Sequence, residues 1–208
     1  MGYEEINVNI PTSWSDITIG MYQDFVKIQK TKYSKEEEKA IDLVCKMTKL
    51  EAEKLSRFKY KDLKYLVDKL KKLMDSEIDS ETLVKKVEFN NTKYGLIPNF
   101  SNISLGEFVD IENNCKDSYS NLHKIMSVMY RPIVKEKGDR YSIEEYNPDE
   151  YKEDLFKDFP IAVSVSALSF FFRLGKILKL ALLKYSEKEV TKKIARLKRL
   201  VKNGGGIA

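Results

Sequence analysis

A twelve-residue phrase occurs twice in this chain, 86 positions apart: WSDITIGMYQDF at 14–25 and FSNISLGEFVDI at 100–111. Helix-capping chemistry accounts for most of the shared positions. With Thr18 and Ser104 as N-caps, each side-chain oxygen can accept a hydrogen bond from a free amide of the first turn. Ile17 and Ile103 then precede the cap, and Tyr22 and Phe108 fall at the fourth helical position, where an apolar pair makes a hydrophobic staple. Ser104 with Glu107 completes a capping box, whereas the first copy has Met21 in place of the glutamate. Trp14 and Phe100 are expected to anchor the two entrances in the core. The shared Asp24 and Asp110 lie past the first turn, where neither cap nor helix dipole calls for them.

The likeness continues weakly. Tyr33-Ser34 and Tyr119-Ser120 keep the 86-residue offset, but the following apolar faces (Ala40, Ile41, Val44, Met47 and Leu122, Ile125, Met126, Met129) match best at 85. Two origins stay open: a duplication of units 10–47 and 97–130, or two independent uses of a good helix start.

Between and beyond these entrances the pattern is helical. Ser34 with Glu37 and Thr48 with Glu51 predict further capping boxes, the second leading into a short helix near 49–56. Leu63, Leu66, Val67, Leu70, Leu73 and Met74 share one face of a helix over 60–75. Alternating Val87 and Phe89, the turn residues Asn90-Asn91-Thr92 and the return from Tyr94 to Ile97 predict a β-hairpin near 84–97. Residues 131–158, rich in charge and carrying Pro and Gly, read as an irregular excursion. Helices are expected again at 161–184 and 187–202, before a flexible NGGGIA tail. The expected fold is a mainly α, multi-helix domain with one small β-hairpin. It divides into a helical body 1–130, the excursion 131–158 and an apolar-then-basic helical segment 159–208.

Function classes narrow by what chemistry the residues offer. There is one histidine, His123, in ordinary helical surroundings, and Cys45 and Cys115 sit apart. No zinc, nucleophile or phosphate-loop signature occurs, so no catalytic, metal or cofactor site is expected. The start of the chain lacks the apolar core of a secretory leader, which points to a cytoplasmic setting and free thiols. The longest apolar run, FPIAVSVSALSFFF, is too short to cross a bilayer.

Charge is the stronger signal. The chain carries a net +5, but residues 173–208 hold 11 Lys and Arg against only Glu187 and Glu189, a net +9 that leaves −4 on the first 172 residues. Arg173, Lys176, Lys179, Lys192, Lys193, Arg196, Lys198, Arg199 and Lys202 are the candidate partner-binding residues, with the stripe Val190, Ile194, Leu197 and Val201 beside them. A basic amphipathic helix of this kind binds acidic partner helices, nucleic acid or anionic membranes. RFKYKDLKYLVDKLKK at 57–72 also interleaves cations with Phe58, Tyr60 and Tyr65, a weaker pattern that an ordinary wet helix face explains better.

Several strings in order, IPTSWSDITIGMYQDF, YGLIPNFSNISLGEFVDIENN, NLHKIMSVMYRPIVKEKGDRYSIEEY and FFFRLG, resemble a family of tailed-bacteriophage virion morphogenesis proteins. The resemblance spans roughly 10–175, and the N-terminal helical part is similar to tail assembly chaperones. It implies a non-enzymatic role in the host cytoplasm during assembly, binding tape measure or tail tube proteins. A connector or ring component, in contact with portal proteins and retained in the virion, is equally implied. The family brings no catalytic residues. The basic C-terminus lies outside the resemblance, so nucleic-acid binding stays open for it, and a homo-oligomer stays open for the protein as a whole. A membrane role is not expected.

Overall fold

Each of the two similar phrases begins with a single 3-10 turn, Trp14–Asp16 and Phe100–Asn102, and then enters an α-helix. In the computed structural model, which describes residues 8–148 and 153–202, the first entrance leads to α1 (Ile19–Lys30) and α2 (Glu36–Thr48). A short α3 (Ala52–Leu55) and the amphipathic α4 (Tyr60–Met74) follow. Strands β1 (Lys86–Phe89) and β2 (Thr92–Leu96) precede the second entrance, which opens α5 (Leu105–Cys115) and α6 (Leu122–Met129). Then come β3 (Tyr130–Lys137), β4 (Arg140–Ile143), a 3-10 stretch Glu153–Asp158 and α7 (Ile161–Lys202). The chain is mainly helical with a small antiparallel sheet. It divides into two units, one ending at Ala167 and the other beginning at Leu168, so the boundary falls within α7.

The caps sit where the side chains can reach. Thr18 Oγ1 accepts from the Met21 amide at 3.2 Å. Ser104 Oγ accepts from the Glu107 amide at 3.2 Å while Glu107 Oε2 accepts from the Ser104 amide at 2.7 Å. The other two expected boxes do not form. α2 begins one residue late, with extended Lys35 as its N-cap, and Glu36, Glu37 and Glu38 load its first turn, where the dipole favours them. Thr48 is instead the last residue of α2. Its hydroxyl donates back to the Val44 carbonyl at 2.6 Å, and Lys49 turns the chain with a left-handed φ of 58°.

The single expected hairpin is half of a four-stranded sheet in the order β1-β2-β3-β4. Its first turn is the Asn90-Asn91 pair, both at positive φ (49° and 56°), the two-residue loop whose twist matches the flanking strands. The second hairpin is built from residues read as an irregular excursion. Gly138, at φ 60°, turns β3 back on β4, and an irregularity between Ile133 and Lys135 breaks the alternation that sequence patterning relies on. Gly95 explains how β4 closes over β2. A Cβ there would lie 2.4 Å from the Tyr141 ring, whose hydroxyl is held 2.8 Å from the Leu96 carbonyl.

The core of the first unit gathers at Phe159. Its side chain is fully buried, with ring centroids 5.0 Å from Phe89, 5.0 Å from Tyr130 and 5.3 Å from Phe156. On the backbone, Ile19 N donates to Phe159 O and Ile161 N donates to Ile17 O, both at 2.9 Å. This short antiparallel clasp between Thr18 and Pro160 joins the entrance of α1 to the start of α7. Ile17 and Ile161 are buried completely as a result.

α6 is buried on almost every side, from Leu122 to Met129 with only Lys124 partly exposed. The expected pair of C-terminal helices is one helix, α7, because no Pro or Gly follows Gly175 before Lys202 to interrupt it. Cys45 and Cys115 are free thiols. The NGGGIA tail falls outside the described residues.

Phe159→Ala is expected to cost about 3–5 kcal/mol, the range for truncating a fully buried aromatic. Gly95→Ala, by displacing a ring pinned at both ends, should cost about 1–3 kcal/mol. Urea unfolding followed by circular dichroism measures both.

Candidate functional site

Three places in the structure could carry function. The first is a polar cluster around Arg131 on β3. Its Nη2 lies 2.6 Å from Glu107 Oε1, and the two side chains are only 14% and 7% exposed. Its Nε and Nη1 are buried without a hydrogen-bond partner. The guanidinium carbon sits 5.7 Å from the Tyr146 ring centre, and Tyr146 donates its hydroxyl to Asp110. Burial pushes the Glu107 carboxyl up, but hydrogen bonds from Ser104 and the Arg131 charge outweigh it and hold the group below the usual carboxylate range. A cleft of about 350 Å³ adjoins, lined by Tyr94, Tyr130, Arg131, Tyr146 and Phe156 among others. Glu144 and Glu145 also line it, which makes it a poor host for an anion.

The second place is His123 on α6. Its Nδ1 lies 3.2 Å from Gln23 Nε2, and the same amide nitrogen lies 3.0 and 2.9 Å from the carbonyls of Tyr119 and Ser120. Burial, then the Lys157 charge, push the imidazole below its ordinary range. Gln23 thus stitches α1 to the loop before α6, a packing role. Among the described residues no three His, Cys, Asp or Glu side chains are grouped to hold a metal ion.

The third place is the unit from Leu168 onward. Arg173, Lys176, Lys192, Lys193 and Arg196 are all exposed on α7, as is Lys188. Lys179, Lys198, Arg199 and Lys202 lie in the same helix, with side chains outside the described ones. Exposed apolar residues accompany them: Phe172 at 51%, Ile177 at 63%, Val190 at 53% and Ile194 at 46%. Lys188, Lys192 and Arg196, four apart, share one face, while Val190 and Ile194 share another. Among the described residues no helix is long and apolar enough to cross a membrane.

The fold anchors do not form one site. Trp14 is half-buried, its indole donating to Ser76 Oγ at 2.9 Å, and so pins the α1 entrance to the end of α4. Ile17 is fully buried and Tyr22 half-buried, 6.4 Å from the Tyr119 ring. In the second copy Phe100 and Ile103 are half-buried, and Phe108 is exposed beside Leu105 and Val109. The two copies differ because Glu107, rather than an apolar residue, faces inward there to meet Arg131. The repeated aspartates take different partners: Asp24 lies 3.6 and 3.9 Å from Lys27 and Lys46, and Asp110 accepts from Tyr146. On α4, Tyr60 and Tyr65 are exposed, with Lys69 over the Tyr65 ring at 5.5 Å.

Comparison with protein-family models, with characterised proteins and with solved structures finds no match.

The ion pair makes a pH prediction. A carboxyl whose folded pKa lies below its ordinary 4.5 stabilises the fold above that value, and this contribution is lost as pH falls through the folded pKa. Glu107→Gln should therefore cost about 3–5 kcal/mol at neutral pH by stranding the Arg131 charge. The deficit should shrink steadily below pH 4.5, as the parent protein loses its own carboxylate. Urea midpoints across an acid series test the sign.

Proposed function

We propose that this chain is a non-enzymatic assembly protein that works through protein–protein contacts, with the α7 unit from Leu168 onward as its partner-binding element. The observation that carries this reading is the mixture of exposed Phe172, Ile177, Val190 and Ile194 with exposed cations on a single helix. Large apolar side chains left in water are a standing free-energy cost that a protein partner removes. The cations keep such a surface soluble and direct the encounter.

The resemblance read in the sequence supplies the setting: virion morphogenesis in tailed bacteriophages. On this reading the protein acts as a tail assembly chaperone in the host cytoplasm, and its partners are tape measure or tail tube proteins. A connector or ring component that contacts portal proteins and stays in the virion is the alternative within the same class. A nucleic-acid module is the second reading, and the 11 Lys and Arg of residues 173–208 favour it. It leaves the exposed apolar residues without a use.

A photo-crosslinking amino acid at position 190 of the full chain, expressed during infection, tests the class. A phage structural protein should be the dominant crosslinked species. Crosslinks to nucleic acid alone, or none above background, would overturn the proposal. Mass spectrometry of purified virions then separates the two assembly roles: absence marks a chaperone, and a fixed symmetric copy number marks a connector.

A further inference from the structure

We infer that the partner of α7 is an acidic helix that pairs with it as a two-stranded coil over residues 180–201; this rests on the reading of α7 as the partner-binding element. The argument begins with spacing. Placing Leu180 at the first core position of a seven-residue repeat puts Leu180, Leu183, Glu187, Val190, Ile194, Leu197 and Val201 in the seam, alternately three and four apart. Six of these seven are apolar, and residues 180–201 lie wholly within one helix. An apolar repeat of this period, sustained over three turns of the pattern, specifies a helical partner laid along the seam. Val190 and Ile194, the described seam side chains, are exposed in the single chain.

The flanks decide which helix. Positions beside the seam meet the partner's flanks and set its identity. Here they are Lys184, Ser186, Thr191, Lys193, Lys198 and Leu200: three cations and no acid. A second copy fits poorly in either orientation. In parallel, Lys193 of one strand faces Lys198 of the other, and antiparallel pairing likewise brings flanking lysines together, with a net +9 on each C-terminal segment. A helix with Glu at its flanking positions turns each of these repulsions into attraction. Glu187 inside the seam adds a register mark, since a polar group there is best met by a cationic or amide side chain across the layer.

Other polyanions satisfy the charges but not the seam. Phosphates along a nucleic acid would neutralise the lysines and leave Val190 and Ile194 uncovered. A bilayer surface covers apolar residues, but favours a broader apolar arc than a seam bordered on both sides by Lys193 and Lys198.

The test uses the full chain and two synthetic heptad peptides of about four repeats, identical except for Glu or Lys at the flanking positions. Fluorescence anisotropy at physiological ionic strength should show the Glu peptide binding at least about tenfold more tightly than the Lys peptide. The triple variant Lys184→Glu, Lys193→Glu, Lys198→Glu should reverse that preference, a gain that misfolding cannot mimic. Val190→Asp with Ile194→Asp should abolish binding of either peptide while circular dichroism shows the fold intact. Binding that survives the seam variant would reduce the effect to plain charge attraction and overturn the inference. So would duplex DNA or phosphatidylserine vesicles binding as tightly as the Glu peptide and surviving the seam variant. Self-association of the wild-type chain that the seam variant abolishes would assign the seam to a second copy instead. If position 190 crosslinks to a phage structural protein while neither peptide binds, the partner-binding role of α7 stands and the heptad inference alone fails.

Discussion

The first unit depends on the three-residue segment Phe159-Pro160-Ile161. Paired antiparallel with Ile17-Thr18-Ile19, the segment bonds through its outer residues, Phe159 accepting and Ile161 donating, so the middle position needs no amide hydrogen and a proline fits it. That short clasp sets where α1 and α7 begin relative to each other. The Phe159 ring, at the same place, touches aromatic residues from β1, β3 and the 3-10 stretch that precedes it. One side chain and two hydrogen bonds therefore connect a helix pair, the sheet and the last helix. Because Ile17, Phe159 and Ile161 are wholly out of water, the two backbone bonds between them are shielded, and leaving them unmade would expose no compensating solvent.

The second helix entrance is tied down by a different device. Glu107 closes its own capping box with one carboxylate oxygen and meets Arg131 of β3 with the other. A local signal for starting α5 thus becomes a tertiary link to the sheet. In the first copy the same position is Met21, which is buried, and the link is made instead by the backbone clasp and by Trp14 on Ser76. Whatever the origin of the two phrases, they start helices by the same chemistry and fasten them by unlike contacts.

This division explains what could be read in the residues. Caps at Thr18 and Ser104, the amphipathic α4 and the Asn90-Asn91 turn are encoded within a few neighbouring residues, so the pattern locates them. The β3–β4 hairpin escaped because its strands carry many exposed charges and an irregular register, and because Tyr141 finds its reason only in distant Gly95. α6 escaped as the central helix because eight residues are too few for periodicity to distinguish burial on all sides from burial on one. Thr48 misleads for a simpler reason: a hydroxyl near a helix end can bond backward as readily as forward, and there the carbonyl of Val44 wins. Ser34 misleads because α2 starts one residue later, at an N-cap of Lys35. The candidate cations were legible in number and sequence position. Their significance was not, since only exposure separates a wet face from a surface with apolar residues left over.

That separation bears on why a 42-residue helix can be maintained at all. In the second unit Leu168, Phe170, Phe171 and Leu174 are half-buried, whereas Phe172, Ile177, Val190 and Ile194 are exposed, so burial of these last four contributes little to holding the helix. Local terms are then decisive. Good helix formers dominate the stretch after Gly175, and cations gather toward the C-terminal end, where the helix dipole favours them. Crowding cations on one helix also costs repulsion, and with few acids in the segment little of it is relieved internally. A helix balanced in this way gains more from an acidic apolar partner than from any neutral one, because the same contact removes both the repulsion and the exposed surface. The physical demand of the isolated segment and the identity of its proposed partner are in this sense one problem.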